Sequence, residues 1–357
     1  MDASLFSPEI RLLICRNCGA PLPAPREGGI ATCEYCEASS EVAPRPRPVV
    51  PAATPRPEPL TEAERIQHLR LQDGKPLHAP STLPLTLQLW HRPDDPKKAA
   101  LATQLWQQAR AALSSGAGKP SDERQLYFLT LALDNYWALK RDDRRRRALL
   151  ETALESCTEP LHLQVLRCEM AGQARRLGDL DAAEAWLAPC DPRPHDLNMD
   201  SALRRQRAAI ATARGDFAAV LELLGAEIDE IPIADLYDHS ATMLRANAHE
   251  RRGDVARATA QLEQAVRSLR GSPRIFARIA AAAAEPLCPR SLPPVHRRAL
   301  TRWWLRYALF LAVWLGGLGL LAAEPALGIT GLGWWSVALA VPLLVAGLYP
   351  YFRWRPW

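Results

Sequence analysis

Four cysteines near the N-terminus, Cys15, Cys18, Cys33 and Cys36, place the strongest local constraint on this chain. They read C-x2-C-x14-C-x2-C. Two residues between cysteines let both thiolates of a pair reach one tetrahedral ion at about 2.3 Å. Gly19 suits the tight turn after the first pair, and Gly28-Gly29 suits a hairpin tip midway to the second. A piece of about forty residues has little hydrophobic core, so metal binding there is folding free energy. The expected ligand set is therefore Cys15, Cys18, Cys33 and Cys36 around a closed, structural Zn2+ ion. A rubredoxin-like iron site or a redox pair is the alternative use of the same spacing.

The run Cys15-Arg16-Asn17-Cys18-Gly19-Ala20-Pro21-Leu22 resembles the zinc ribbon, in the Cys-x-x-Cys-Gly-Ala-Pro-Leu form found at the start of many bacterial proteins. The resemblance implies a small β fold over residues 1–42. Glu37 stands where that family usually has a second glycine, and an altered second turn is expected there.

Charge is unevenly spread. Residues 1–42 carry three basic and six acidic side chains, whereas 291–357 carry six basic and one acidic. Residues 61–290 are nearly balanced. No strongly basic domain exists to neutralise phosphates, so direct nucleic-acid contact is not expected. Met1–Pro8 lacks a basic residue and Arg11 interrupts Ile10–Ile14, so no signal peptide is read. Residues 43–60 form a linker with prolines at 44, 46, 48, 51, 55, 57 and 59. Proline fixes φ and removes a donor, predicting an extended spacer rather than a ligand for a proline-binding domain. At about 3.1 Å per residue the spacer holds the N-terminal piece roughly 50 Å from the remainder of the chain.

Residues 61–120 read as irregular lead-in helices, and 121–290 as paired helices rich in Ala, Leu and Arg. Gly178-Asp179, Gly215-Asp216 and Gly253-Asp254 recur at intervals of 37 and 38 residues. Seven residues before each glycine stands alanine (Ala171, Ala208, Ala246). Five after it stand Ala183, Val220 and Ala258, and nine after it Leu187, Leu224 and Leu262. A glycine closing one helix, an Asp capping the next and small residues at the crossing specify an antiparallel helical hairpin. Asp142-Asp143, followed by Ala148-Leu149-Leu150, reads as a degenerate fourth copy aligned on Gly178-Asp179. The arrangement resembles the tetratricopeptide repeat (TPR), although the period exceeds 34 and that family's early tryptophan is missing. The resemblance implies an α-helical solenoid whose groove binds a protein partner.

Residues 291–357 read as a transmembrane hairpin. Glu324 is the single charge between Arg306 and Arg353, giving spans of about 303–323 and 334–351. Twenty-one residues from Trp303 make a helix of about 31 Å, enough for a hydrocarbon core of ~30 Å. Trp303, Trp304, Trp334, Trp335, Trp354 and Trp357 mark aromatic belts. Arg297, Arg298, Arg302 and Arg306 precede the first span and Arg353 and Arg355 follow the second, so both termini are expected on the cytoplasmic side of a bacterial inner membrane. The lipid bilayer is the expected partner of residues 303–351. Small residues at every fourth position (Ala308, Ala312, Gly316) suit close packing of the two spans.

Catalytic signatures are lacking in the sequence. Gly116-Ala117-Gly118-Lys119 fails as a phosphate loop because Leu113 replaces the first glycine and Pro120 the metal-binding hydroxyl. His195 reads as loop surface, Arg144–Arg147 as a solvated face open to anionic headgroups or an acidic partner, and Cys157, Cys168, Cys190 and Cys288 as buried free thiols scattered through helices. The whole reads as a multidomain, mainly α protein: zinc ribbon, linker, helical solenoid and two membrane helices. The expected function is a cytosol-facing adaptor and not an enzyme. The competing readings are a regulator whose ribbon contacts nucleic acid or a polymerase, and an enzyme without a sequence signature.

Overall fold

The computed structural model describes residues 5–8, 11–44, 60–72, 80–91, 95–267 and 286–299, with isolated positions between 276 and 315. The chain divides into two compact units, Met1–Arg245 and Ala246–Trp357. It is mainly helical, with a small β region at the N-terminus.

Four short strands open the first unit: β1 (Leu12–Ile14), β2 (Pro21–Pro23), β3 (Gly29–Thr32) and β4 (Ser39–Val42). They form two antiparallel hairpins, β1 with β2 and β3 with β4, registered through Leu13↔Leu22 and Ala31↔Ser40. The cysteine pairs are the tips of these hairpins. Gly28-Gly29, expected at a hairpin tip, instead lies where the connection between the hairpins enters β3. Positive φ there (81° and 125°) lets the chain turn back tightly, and at Gly28 a Cβ would stand 2.6 Å from the Pro44 backbone nitrogen.

Helices α1 (Glu62–Arg70), α2 (Leu83–His91) and α3 (Pro96–Ser114) come next in the chain. Thr61 and Glu64 close a reciprocal capping box on α1, and Asp95 caps α3 with Pro96 in the first turn. Helix α1 is sequentially early but packs late. Arg65, buried, donates to Asp200 Oδ1 (2.7 Å) and to the Pro194 carbonyl (3.1 Å), more than a hundred residues away.

Three helical hairpins complete this unit: α4 (Pro120–Leu139) with α5 (Asp143–Ser156), α6 (Pro160–Arg176) with α7 (Leu180–Leu187), and α8 (Leu197–Ala213) with α9 (Phe217–Leu224). Helix α10 (Asp235–Arg251) contains the unit boundary and turns into α11 (Val255–Arg267). The turns at Gly178, Gly215 and Gly253 share one bonding pattern. Each glycine has positive φ (85°, 75° and 95°). Each following Asp donates its N–H to the carbonyl five residues back (Ala174, Ala211, His249), and its Oδ1 accepts the N–H three residues on (Ala182, Ala219, Arg257). That is a left-handed helix stop joined to a side-chain helix start.

The degenerate copy has the same turn, displaced by one residue from the expected register. Arg141, with φ of 55°, takes the glycine place, and Asp142 donates to Trp137 O and caps Arg145. Asp134 and Arg146 then fall where later hairpins have Ala171 and Ala183, and Leu150 falls where they have Leu187. The reading of Arg144–Arg147 as a solvated face is corrected accordingly. Arg144 and Arg145 are exposed, but Arg146 and Arg147 are 5% and 0% exposed, because a helix turns successive residues through about 100°. Arg146 pairs with Asp134, and Arg147 with Glu151.

Helices α4, α6 and α8 each also steady the stretch that leads into a later helix. Glu123 accepts from the N–H groups of Thr158 and Glu159 (3.0 and 2.8 Å), Gln164 from Asp191 (3.0 Å), and Ser201 from Ala234 (2.9 Å). In the second unit Asn247 accepts from Cys288 (3.1 Å), and Glu250 from Arg290 and Ser291 (2.9 and 2.8 Å).

Among the described residues no helix is long and apolar enough to cross a membrane. The span expected over 334–351 lies outside the described residues. Of 303–323, only positions 305, 308, 311, 312 and 315 are described, each helical.

Candidate metal centre

The two hairpin tips bring all four predicted ligands together. Cys15 Sγ lies 3.8 Å from Cys36 Sγ and Cys18 Sγ lies 3.6 Å from Cys33 Sγ. All four sulfurs are within 4.8 Å of one another. An ion bonded to four sulfurs at about 2.3 Å in tetrahedral geometry sets S–S edges near ~3.8 Å, so the residues present fit a metal ion.

The tips are built alike. Gly19 N–H donates to Cys15 O (3.0 Å) and Cys15 N–H to Ala20 O (2.8 Å); Glu37 N–H donates to Cys33 O (2.9 Å) and Cys33 N–H to Ala38 O (3.0 Å). The second turn is not altered by Glu37, which adopts the left-handed conformation (φ 57°) that Gly19 adopts at 74°. A non-glycine residue held there stores strain, and the surrounding geometry must offset it.

Cys36 and Cys18 are shifted in opposite directions. The Ala38 N–H, the Asn17 side chain and the Cys18 thiol pull Cys36 down to about 6. The Ala20 N–H acts in the same sense on Cys18, but the neighbouring thiols Cys36, Cys33 and Cys15, together with desolvation, push it up to about 12. A cation between Cys18 and Cys36 would favour the thiolate form of both. Four thiolates on a divalent ion would leave surplus negative charge. Arg110 of α3 stands near it: burial and Arg16 lower its pKa, while Cys15 and Glu155 oppose them.

The N-terminal module is not held apart by the linker. It packs on α5. Ile14 N–H donates to Thr152 Oγ1 (3.0 Å). Arg11, 5% exposed, reaches Glu155 Oε1 (2.8 Å), Pro25 O (2.8 Å) and Ala43 O (2.7 Å). Phe6 is buried in the helical core, its carbonyl accepting from Trp186 Nε1 (2.5 Å), with the Arg147 guanidinium 6.0 Å from its ring and 5.1 Å from Trp186. Sequence reasoning missed these residues because isolated contacts carry no periodic signal; Arg11, the one charge in an apolar run, was the available hint. A cavity of about 500 Å³ remains beside the module, lined by Cys18, Tyr35, Trp106, Gln107, Trp137 and Arg145.

A second cluster, Glu123, Cys157 and His162, has ligand-type atoms equally close. Its carboxylate is already engaged by Thr158, Glu159 and His162 Nδ1 (2.9 Å), and Cys157 is raised by burial and by Glu123. This is a helix cap stacked on Tyr127 rather than a metal centre. Cys157, Cys168, Cys190 and Cys288 are buried and none is in a disulfide, but only Cys168 lies within a helix. His195 is exposed in a loop, where its carbonyl accepts from Gln72 Nε2 (2.7 Å). Gly116–Lys119 lies in the connection from α3 to α4, and Pro120 opens α4, with Lys119 N–H donating to Asp122 Oδ2 (2.7 Å).

Comparison with protein families, curated proteins and solved structures finds no match to this chain.

Proposed function

We propose that the chain is a membrane-anchored, cytosol-facing adaptor. Its helical hairpins form a TPR-like solenoid with a partner-binding groove, and its N-terminal module is a zinc ribbon held by structural Zn2+. The observation that carries this reading is the recurrence of one turn at 37- to 38-residue spacing. A single hairpin cannot bury its apolar face alone, and stacked hairpins leave an extended concave surface suited to a partner. Four cysteine sulfurs close the coordination sphere and leave no open position, which favours a structural over a catalytic ion.

Membrane attachment rests on the uncharged runs, the aromatic belts and the flanking arginines. Leu305 and Leu315, 65% and 58% exposed on helical turns, support it. Both termini then face the cytoplasm of a bacterial inner membrane.

The test uses the full chain in native membranes, with a photo-crosslinking residue at Arg205. The adaptor reading expects retention after carbonate washing and one defined crosslinked protein, lost in Ala208→Trp. Crosslinks to nucleic acid or a polymerase from a probe at Tyr35 would favour the regulator instead, and release by carbonate would remove the membrane anchor from the reading.

A further inference from the structure

Beyond its structural role, we propose that metal at Cys15, Cys18, Cys33 and Cys36 latches the module and the Leu5–Pro8 segment onto α5 and α7, so that metal loss uncovers an α5 face and unseats Phe6. The inference rests on the metal-binding reading and is independent of the adaptor reading.

Strands β1 and β2 are three residues each, too short to persist as an isolated hairpin. The small core of the module is Leu13, Cys15, Leu22, Ala31, Cys33 and Val42, of which two are ligands. Metal is therefore what shapes the hairpin carrying Arg11 and Ile14. Those two residues make the directed contacts to the helices, and Ile14 directly precedes the first ligand.

Without the metal, the Arg11 side chain loses the hairpin that aims it at Glu155, Pro25 and Ala43 together. Thr152 and Glu155 are then returned to water. Phe6, five residues before Arg11, loses the restraint that keeps its ring beside Arg147 and its carbonyl on Trp186. That leaves the Trp186 indole N–H without this acceptor, which favours local opening of α7. The helical body thereby reads metal occupancy. Anything that binds only the docked state stabilises it by mass action, so the coupling runs in both directions.

The experiment is hydrogen exchange on the full chain in detergent with reduced thiols, metal-free after chelation and again after one equivalent of zinc. Zinc should restore lost protection at residues 5–8 and 149–156 as well as within the module. The variant Thr152→Val with Glu155→Gln should still take up one zinc and protect the module, while protection at 5–8 and 149–156 no longer responds. Stoichiometric zinc uptake with unchanged protection at both helical segments would overturn the latch and leave the metal site standing. Failure to take up zinc at all would overturn both.

Discussion

Arg146 Nε lies 3.1 Å from Asp134 Oδ1 across the first helical hairpin, at the two places where the next hairpins have Ala171 with Ala183, and Ala208 with Val220. One ion pair has taken the position of two small side chains. Both partners are buried, and Asp134 also accepts from Gln173 of the neighbouring hairpin (3.1 Å).

Removing Arg146 takes the guanidinium bonded to Asp134 away and leaves that buried carboxylate to Gln173, whereas removing Asp134 leaves Arg146 still paired with Asp143 (3.0 Å). Arg146→Ala is therefore expected to cost about 3–5 kcal/mol, and Asp134→Ala less. The double variant recreates the alanine pair of the second hairpin and should recover most of that loss. Thermal or denaturant melts of the three variants measure it; additive losses would show that the pair is not a substitute for the small residues.

The turns give a cleaner test of backbone conformation. No atom stands within 4 Å of a Cβ added at Gly215, so Gly215→Ala pays only for positive φ, about 1–2 kcal/mol. Arg141→Gly should act in the opposite sense, gaining about 1 kcal/mol less the added unfolded-state entropy. Equal melting of Arg141→Gly and the parent would show that Arg141 is not strained.

Acid should loosen α1 before it unfolds the hairpins. Glu62 is drawn down to about 2 by hydrogen bonding from Arg65, with Arg204 adding to it and desolvation opposing. A carboxylate depressed in the folded state stabilises fully above its unfolded value of ~4.3 and loses that contribution as pH falls toward 2. Exchange or proteolysis across residues 62–70 should accelerate over that window, and Glu62→Gln should abolish this part of the pH dependence. An unchanged pH profile in the variant would assign the effect to another group.

Cobalt(II) in place of the native ion should give the intense thiolate-to-metal absorption and tetrahedral bands of a four-sulfur site. Cys15→Ser should weaken both, and zinc should displace the cobalt. Metal analysis that finds iron without zinc would defeat the zinc assignment while leaving the ligand set intact.

Topology is tested by labelling. In a background lacking reactive thiols, a cysteine placed at Gly331 should react with an impermeant reagent outside intact cells. One placed at Arg355 or in the 43–60 linker should react only after lysis. Outside labelling of the linker would invert the arrangement.

The clustering of the four cysteines and the turns at Gly178, Gly215 and Gly253 were legible because fixed chemistry demands fixed spacing: thiols placed to share one ion, or a glycine at positive φ ahead of an Asp cap. The first hairpin was misaligned because Arg141 occupies the left-handed position and so hides it. The four-arginine run misled for a related reason. Composition marks Arg144–Arg147 as polar, but Asp134 and Glu151 are what make burial of Arg146 and Arg147 tolerable; Glu151 lies one turn from Arg147 on the same helix, whereas the pairing of Arg146 with Asp134 joins two helices and only their packing reveals it. Contacts such as Arg65 with Asp200, 135 residues apart, depend on the assembled body and leave no local trace.

Both ends of the proline-rich stretch are tied down. Arg11 holds the Ala43 carbonyl, and Arg193 Nη2 donates to the Leu60 carbonyl at 3.0 Å. A protease nick between them would therefore yield two fragments that stay associated, and the N-terminal fragment added separately should complement a chain lacking it. The stretch could also lengthen at little thermodynamic cost, about 0.6 kcal/mol for each doubling. Its sequence is thus free to drift or to acquire modification sites while the bodies it joins keep their places.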